Sequence, residues 1–91
     1  MKKIIIVYDI TDDKIRNYVS NQLKNYGLHR IGYSVFNGEI PEEKLKELEK
    51  TMAEYIKDDK MHIIELCEKC YAKIKLLGKA EIAEESEIEV F

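Results

Sequence analysis

The stretch Lys2-Lys3-Ile4-Ile5-Ile6-Val7-Tyr8-Asp9-Ile10-Thr11-Asp12-Asp13 decides the fold. Its β-branched run reads as a strand over residues 2–8. That run ends at Asp9, just before two further acids mark a helix start. A carboxylate at the carboxyl end of a buried strand, beside a helix start, lies where open α/β sheets place ligand chemistry. Two uses of Asp9 follow from its chemistry. It offers oxygen to a hard cation such as magnesium, or it caps the turn by accepting backbone N–H groups.

Outward from this stretch, strands and helices alternate. Ile15, Tyr18, Val19, Leu23 and Tyr26 recur at helical spacing, and Asp12 and Asp13 in the first turn suit the helix dipole. Gly27 is placed to end that helix. Ile31, Tyr33 and Val35 alternate with Gly32, Ser34 and Phe36 as a second strand. Asn37-Gly38 is a strong hairpin signal and predicts a turn into a brief third strand at 39–40. Pro41 opens a second helix, a position where proline is tolerated, with Leu45, Leu48, Met52 and Ile56 as its apolar stripe. A loop at 58–60 and a fourth strand at 61–66 follow. The order β-α-β-β-α-β predicts a ferredoxin-like α+β domain over residues 1–78, with an antiparallel sheet and both helices on one face.

Residues 67–77 lead through a short helix or turn toward another strand. The remainder, 79–91, is an acidic tail in which Ile88 and Val90 alternate with Glu87 and Glu89. That pattern reads as an edge strand that adds to its own sheet or a partner's, or as an unattached tail.

The first strand carries a further implication. A sheet covered by helices on one face alternates apolar and polar residues, yet Ile4, Ile5, Ile6 and Val7 are apolar on both faces. A second surface must cover the face opposite the helices. Either a second copy of the sheet does so, giving a two-fold homodimer through sheet faces, or the C-terminal tail of the same chain does. The dimer would bring two copies of Asp9 near the axis, where two carboxylates hold one cation better than either alone.

Composition bounds the rest. Ninety-one residues make one domain, and 45% hydrophobic with 36% charged residues is a globular composition. The formal charge is −3 but uneven: residues 1–40 carry six Lys/Arg against four Asp/Glu, residues 41–91 nine against fourteen. Contact with an anionic backbone therefore belongs to the first half. The apolar run after Lys2-Lys3 is too short for a signal peptide, and nothing approaches the roughly 20 apolar residues of a membrane span. A cytoplasmic protein without membrane contact is expected. Cys67 and Cys70 supply half of a structural zinc site at most and read as reduced thiols. His29 and His62 have no nearby ligand set in the sequence.

Several strings together carry a resemblance: Val7-Tyr8-Asp9-Ile10, Asp12-Asp13-Lys14, Tyr26-Gly27-Leu28-His29-Arg30, Ser34-Val35-Phe36-Asn37-Gly38-Glu39 and Leu66-Cys67-Glu68-Lys69-Cys70. In this order the chain resembles the CRISPR-associated Cas-two (Cas2) family. The resemblance implies a ferredoxin-like homodimer whose first-strand aspartate binds a divalent metal, Mg2+ or another cation, at the interface. It implies a role in spacer acquisition with the integrase Cas-one (Cas1) as partner, and metal-dependent endonuclease activity on RNA or duplex DNA. Asp9 matches the family's metal-binding and catalytic aspartate, and Tyr8 precedes it as in the family pattern. Arg16 and Arg30 match basic positions associated with substrate phosphates, and Phe36 an aromatic on the second strand. Where some members carry a further arginine, this chain has Tyr18.

Residue chemistry leaves simpler uses open. Arg16 lies at helical spacing from Asp12 and Asp13, as a surface ion pair would. Arg30 shares strand parity with Gly32, Ser34 and Phe36, on the less apolar face; it serves either a phosphate, through its planar fork, or an acid across the sheet. Phe36 suits a core or dimer-interface position as well as a stacking platform. At the level of function, a non-catalytic scaffold bridging integrase subunits and pre-spacer DNA, and a toxin-like ribonuclease, stand beside the nuclease.

Overall fold

The computed structural model describes residues 1–78 and the backbone of residues 89–90. The elements run β1 (Lys2–Asp9), α1 (Asp13–Asn25), β2 (His29–Gly32), β3 (Val35–Ile40), α2 (Glu42–Tyr55), β4 (Lys60–Leu66), α3 (Glu68–Ala72), β5 (Lys75–Leu76) and β6 (Glu89–Val90). The first four strands form one antiparallel sheet in the order β2-β3-β1-β4. This is the ferredoxin-like α+β arrangement, with β1 at the centre. Strand β6 runs parallel to β5 in a separate two-stranded sheet, so it does not extend the edge of the four-stranded one. The acidic segment expected over 81–88, and Phe91, lie outside the described residues.

Helix α1 begins where its caps demand. Asp12, in extended conformation, accepts the N–H of Ile15 at 3.0 Å, which satisfies an orphan donor of the first turn. At the other end Gly27 N–H donates to Lys24 O and Leu28 N–H to Leu23 O. That is a Schellman closure, and Gly27 at φ 87° supplies the left-handed residue it requires. Helix α2 starts at Pro41, which serves as its N-cap residue without a side-chain bond, and Glu42 and Glu43 fill its first turn.

The hairpin expected at residues 37–38 is corrected. Asn37-Gly38 is not a hairpin turn: β3 runs straight through it, and the chain reverses at Tyr33-Ser34 instead. A type I′ turn needs positive φ at both central residues, and no non-glycine residue among those described has one. Pairing of 35–40 with β1 along its whole length keeps Phe36 and Ile40 under the helices, both fully buried. Asn37 lies on the opposite face, also fully buried, where its side-chain amide donates to the Tyr71 hydroxyl at 2.6 Å. Gly38 serves close packing, since a Cβ there would meet Leu28 Cδ2 at 2.8 Å.

The sheet has two unequal faces. Toward the helices, Ile4, Ile6, Tyr8, Phe36 and Ile40 pack against Val19, Leu23, Leu45, Leu48 and Met52. Burying each large side chain of this kind contributes roughly 1.5–3 kcal/mol. Tyr18, expected on the inner stripe of α1, instead sits at the surface against Tyr55, ring centroids 4.5 Å apart. On the outer face Tyr71 and Leu76, from α3 and β5, pack with Ile31, Val35, Leu66 and Ile74. This cover stops short of Val7 and Ile64, which remain 36% and 44% exposed. The doubly apolar first strand is thus covered in part by its own chain.

Candidate metal and nucleic-acid site

The strand register divides the sequence-derived residues between the two faces. Side chains alternate along β1, and Ile4, Ile6 and Tyr8 are buried toward the helices. Asp9 therefore shares the outer face with Ile5 and Val7. It pairs with Lys60 of β4, as Val7 does with His62 and Ile5 with Ile64. Asp9 is exposed, and among the described residues its carboxylate has no hydrogen bond or ion pair. The cap role open to it in the sequence belongs to Asp12, because the helix starts at Asp13. An unspent carboxylate thus stands at the end of the central strand, on the outer face that also carries the exposed Val7 and Ile64.

Tyr8 and Phe36, which the resemblance places among the substrate contacts, are core side chains in this structure. Both face the helices, 3% and 0% exposed, with ring centroids 6.2 Å apart and planes inclined by 26°. A base has no access to either ring. The Tyr8 hydroxyl is buried without a partner among the described residues. Arg30 shares this face: its guanidinium donates to Ser20 Oγ at 2.6 Å and lies 5.4 Å from the Phe36 centroid. The face is not the less apolar one, since Phe36 is core; Arg30 roofs the sheet edge while remaining exposed to solvent.

Arg16 lies at the same end of the sheet as Asp9. It donates to Ile10 O at 3.0 Å, pairs with Asp13, and holds its guanidinium 5.8 Å from the Tyr33 ring centroid. The bond to Asp13 pushes its pKa above the ordinary arginine value. The surface ion pair anticipated on the helix is present, and two of the five guanidinium donors serve these contacts. Nearby, Thr11 donates through its backbone N–H and its hydroxyl to Asp59, both at 3.3 Å. These bonds join the α2–β4 loop to the end of β1.

Among the described residues, no group of three or more His, Cys, Asp or Glu stands together to hold a metal. A single exposed carboxylate still fits magnesium, which keeps most of its waters and is held by one or two carboxylates. Cys67 and Cys70 are free and exposed. Cys67 caps α3, and its sulfur accepts the Cys70 N–H at 3.3 Å. That bond, with a second from the Cys70 thiol, pushes the Cys67 pKa down, and donating to Cys67 pushes Cys70 up.

Sequence reasoning missed Lys60, set opposite Asp9 by the β4 register with His62 opposite Val7, and Tyr33, whose turn is bonded through Ser34 to the residue before Asp9. Without the register, no signal in the sequence connects them to it.

The family model for CRISPR associated protein Cas2 matches residues 1–74. A Methanospirillum hungatei protein named CRISPR-associated endoribonuclease Cas2 2 is 42% identical over 80 residues, covering 87% of this chain and 89% of its own. A crystal structure of a cas2 protein superposes with a TM-score of 0.64 at 35% identity, over 70% of this chain and 72% of that one. A Thermoproteus tenax protein named CRISPR-associated endonuclease Cas1/endonuclease Cas2 fusion is 39% identical over 54 residues, 59% of this chain and 20% of its own length.

Proposed function

Because the chain belongs to the CRISPR-associated Cas2 family, we propose that it is a divalent-metal-dependent endonuclease of CRISPR spacer acquisition, working as a homodimer with Asp9 as metal ligand. The observation that carries this reading is the free Asp9 carboxylate at the end of β1, relieved of capping by Asp12. The name endoribonuclease carried by the Methanospirillum relative supports cleavage of RNA. The fused Cas1 and Cas2 names of the Thermoproteus protein support an integrase partner.

The dimer reading rests on Val7 and Ile64, apolar and exposed on the sheet face that Asp9 shares. A second copy seated there would remove them from water and bring its own Asp9 to the same cleft. A bound magnesium ion supplies Lewis-acid polarisation of the phosphoryl group and a more acidic water. The chain's own residues do the rest. Asp9 positions the cation, and Arg16, fixed by Ile10 and Asp13, puts positive charge near the scissile phosphate, where anionic charge grows in the transition state. With one carboxylate per subunit, cleavage is expected to be slow.

Short RNA and duplex DNA incubated with magnesium test the reading. Asp9→Ala abolishes cleavage while the fold, followed by circular dichroism, is unchanged. Equal cleavage by both proteins removes Asp9 from the mechanism.

A scaffold reading is favoured by one observation: Tyr8 and Phe36 are spent in the core, leaving few groups for chemistry. It predicts that Asp9→Ala still copurifies with the integrase and a pre-spacer duplex and supports integration.

A further inference from the structure

Tyr33 stands in solvent at the end of the sheet that carries Asp9. It is 74% exposed, the most exposed aromatic side chain among the described residues. The next, Tyr18 and Tyr55, are about half as exposed and cover each other. The turn that carries Tyr33 is fixed at both sides. Ser34 O accepts the N–H of Tyr8, the residue before Asp9, at 3.0 Å, and the Gly32 Cα packs against Val35 so closely that an added Cβ would come within 3.3 Å of it. The Arg16 guanidinium flanks the ring at 5.8 Å and is itself anchored to Ile10 and Asp13. An exposed ring held beside an anchored cation combines the two elements that recognise single-stranded nucleic acid: a π-face for an unstacked base and charge for the adjoining phosphate.

We propose that Tyr33 is a stacking platform for one unpaired base, with Arg16 facing the neighbouring phosphate. The inference rests on the nuclease reading of Asp9 and adds a base-binding residue to that site. A duplex keeps its bases stacked on each other and offers Tyr33 no free face, whereas every unpaired base has one. Tyr33 then sets where along the strand the phosphodiester lies relative to Asp9.

The test is equilibrium binding to the full chain in EDTA, which stops cleavage. The probes are a short single-stranded RNA carrying 2-aminopurine and the blunt RNA duplex of the same sequence. Wild type is expected to bind the single strand more tightly and to quench 2-aminopurine. Tyr33→Ala should weaken single-strand binding by about 5- to 100-fold, lose the quenching and change duplex binding by less than about twofold, since stacking on one base accounts for the difference. Tyr33→Phe and Tyr33→Trp should behave as wild type, because the ring and not the hydroxyl is used. Equal loss on both probes, or loss in Tyr33→Phe matching that in Tyr33→Ala, overturns the platform. A changed sedimentation coefficient for Tyr33→Ala also overturns it, by assigning the ring to a contact between copies. If wild type prefers the duplex, this inference fails while the nuclease reading stands. If it binds neither probe, both fall.

Discussion

Removing one hydroxyl at Tyr71 tests how the outer face of the sheet is held. Asn37 is fully buried at the middle of β3, its amide nitrogen donates to the Tyr71 hydroxyl at 2.6 Å, and its amide oxygen has no partner among the described residues. In Tyr71→Phe the ring remains against Ile31 and Leu76, and the Lys3 ammonium, 5.0 Å from its centroid, keeps its contact. What changes is that the Asn37 amide loses this bond in a place water does not reach. Stranding a buried polar group costs about 1–3 kcal/mol. For a domain near this size each kcal/mol moves the melting temperature by about 4–8 °C, so a loss of about 2 kcal/mol lowers it by roughly 8–16 °C. Thermal and urea unfolding followed by circular dichroism read the change. Replacing both partners removes the stranded group, so Asn37→Leu combined with Tyr71→Phe should recover most of the loss. A melting temperature for Tyr71→Phe within about 2 °C of wild type refutes the reasoning. So does a double variant less stable than the single one.

Three further outcomes are expected. Gly38→Ala forces a Cβ to within 2.8 Å of Leu28 Cδ2 and should destabilise by about 1–3 kcal/mol of overpacking in urea unfolding; an unchanged midpoint would mean Leu28 yields freely. Because Cys67 is held below and Cys70 above the ordinary thiol value, limiting iodoacetamide near neutral pH should label Cys67 first, as read by peptide mass spectrometry; the reverse order contradicts the assigned hydrogen bonds. Ile64→Lys places a charge on the open outer face and should leave unfolding within about 0.5 kcal/mol of wild type, as for a surface substitution, while abolishing self-association in sedimentation; an intact dimer moves the interface elsewhere.

Local periodicity made β1, both long helices and β4 legible, because each carries its own signal in consecutive residues. The β2–β3 turn was not. Asn37-Gly38 is the stronger local turn signal, but Asn37 is claimed by Tyr71, 34 residues later, and Gly38 by its approach to Leu28. Tertiary packing outweighed turn chemistry. Asp9 was legible as a candidate because its place at a strand end is a matter of sequence order. Its freedom from capping depended on Asp12 lying at the helix start, a choice between acids three residues apart. The fate of Tyr8, Arg30 and Phe36 depended on which sheet face the helices cover. That cannot be read from strand parity when, as in β1, both parities are apolar.

The partial cover of the outer face links fold to the proposed chemistry. Val35, Asn37 and Leu66 lie under or beside α3 and β5, while Val7 and Ile64, on β1 and β4, remain open. The chain therefore covers part of its outer sheet face itself, and in the proposed dimer a second copy covers Val7 and Ile64. In the proposed dimer two Asp9 carboxylates face each other on the contacting face, and like charges brought together on apolar surface oppose association. Held by both carboxylates, a divalent cation would reverse the sign of that interaction. Metal affinity and dimer affinity then become one linked quantity, each strengthening the other by the same factor. In that dimer, a site with a single carboxylate per subunit would be weak in the separate subunit for the same reason that it would be complete only in the pair.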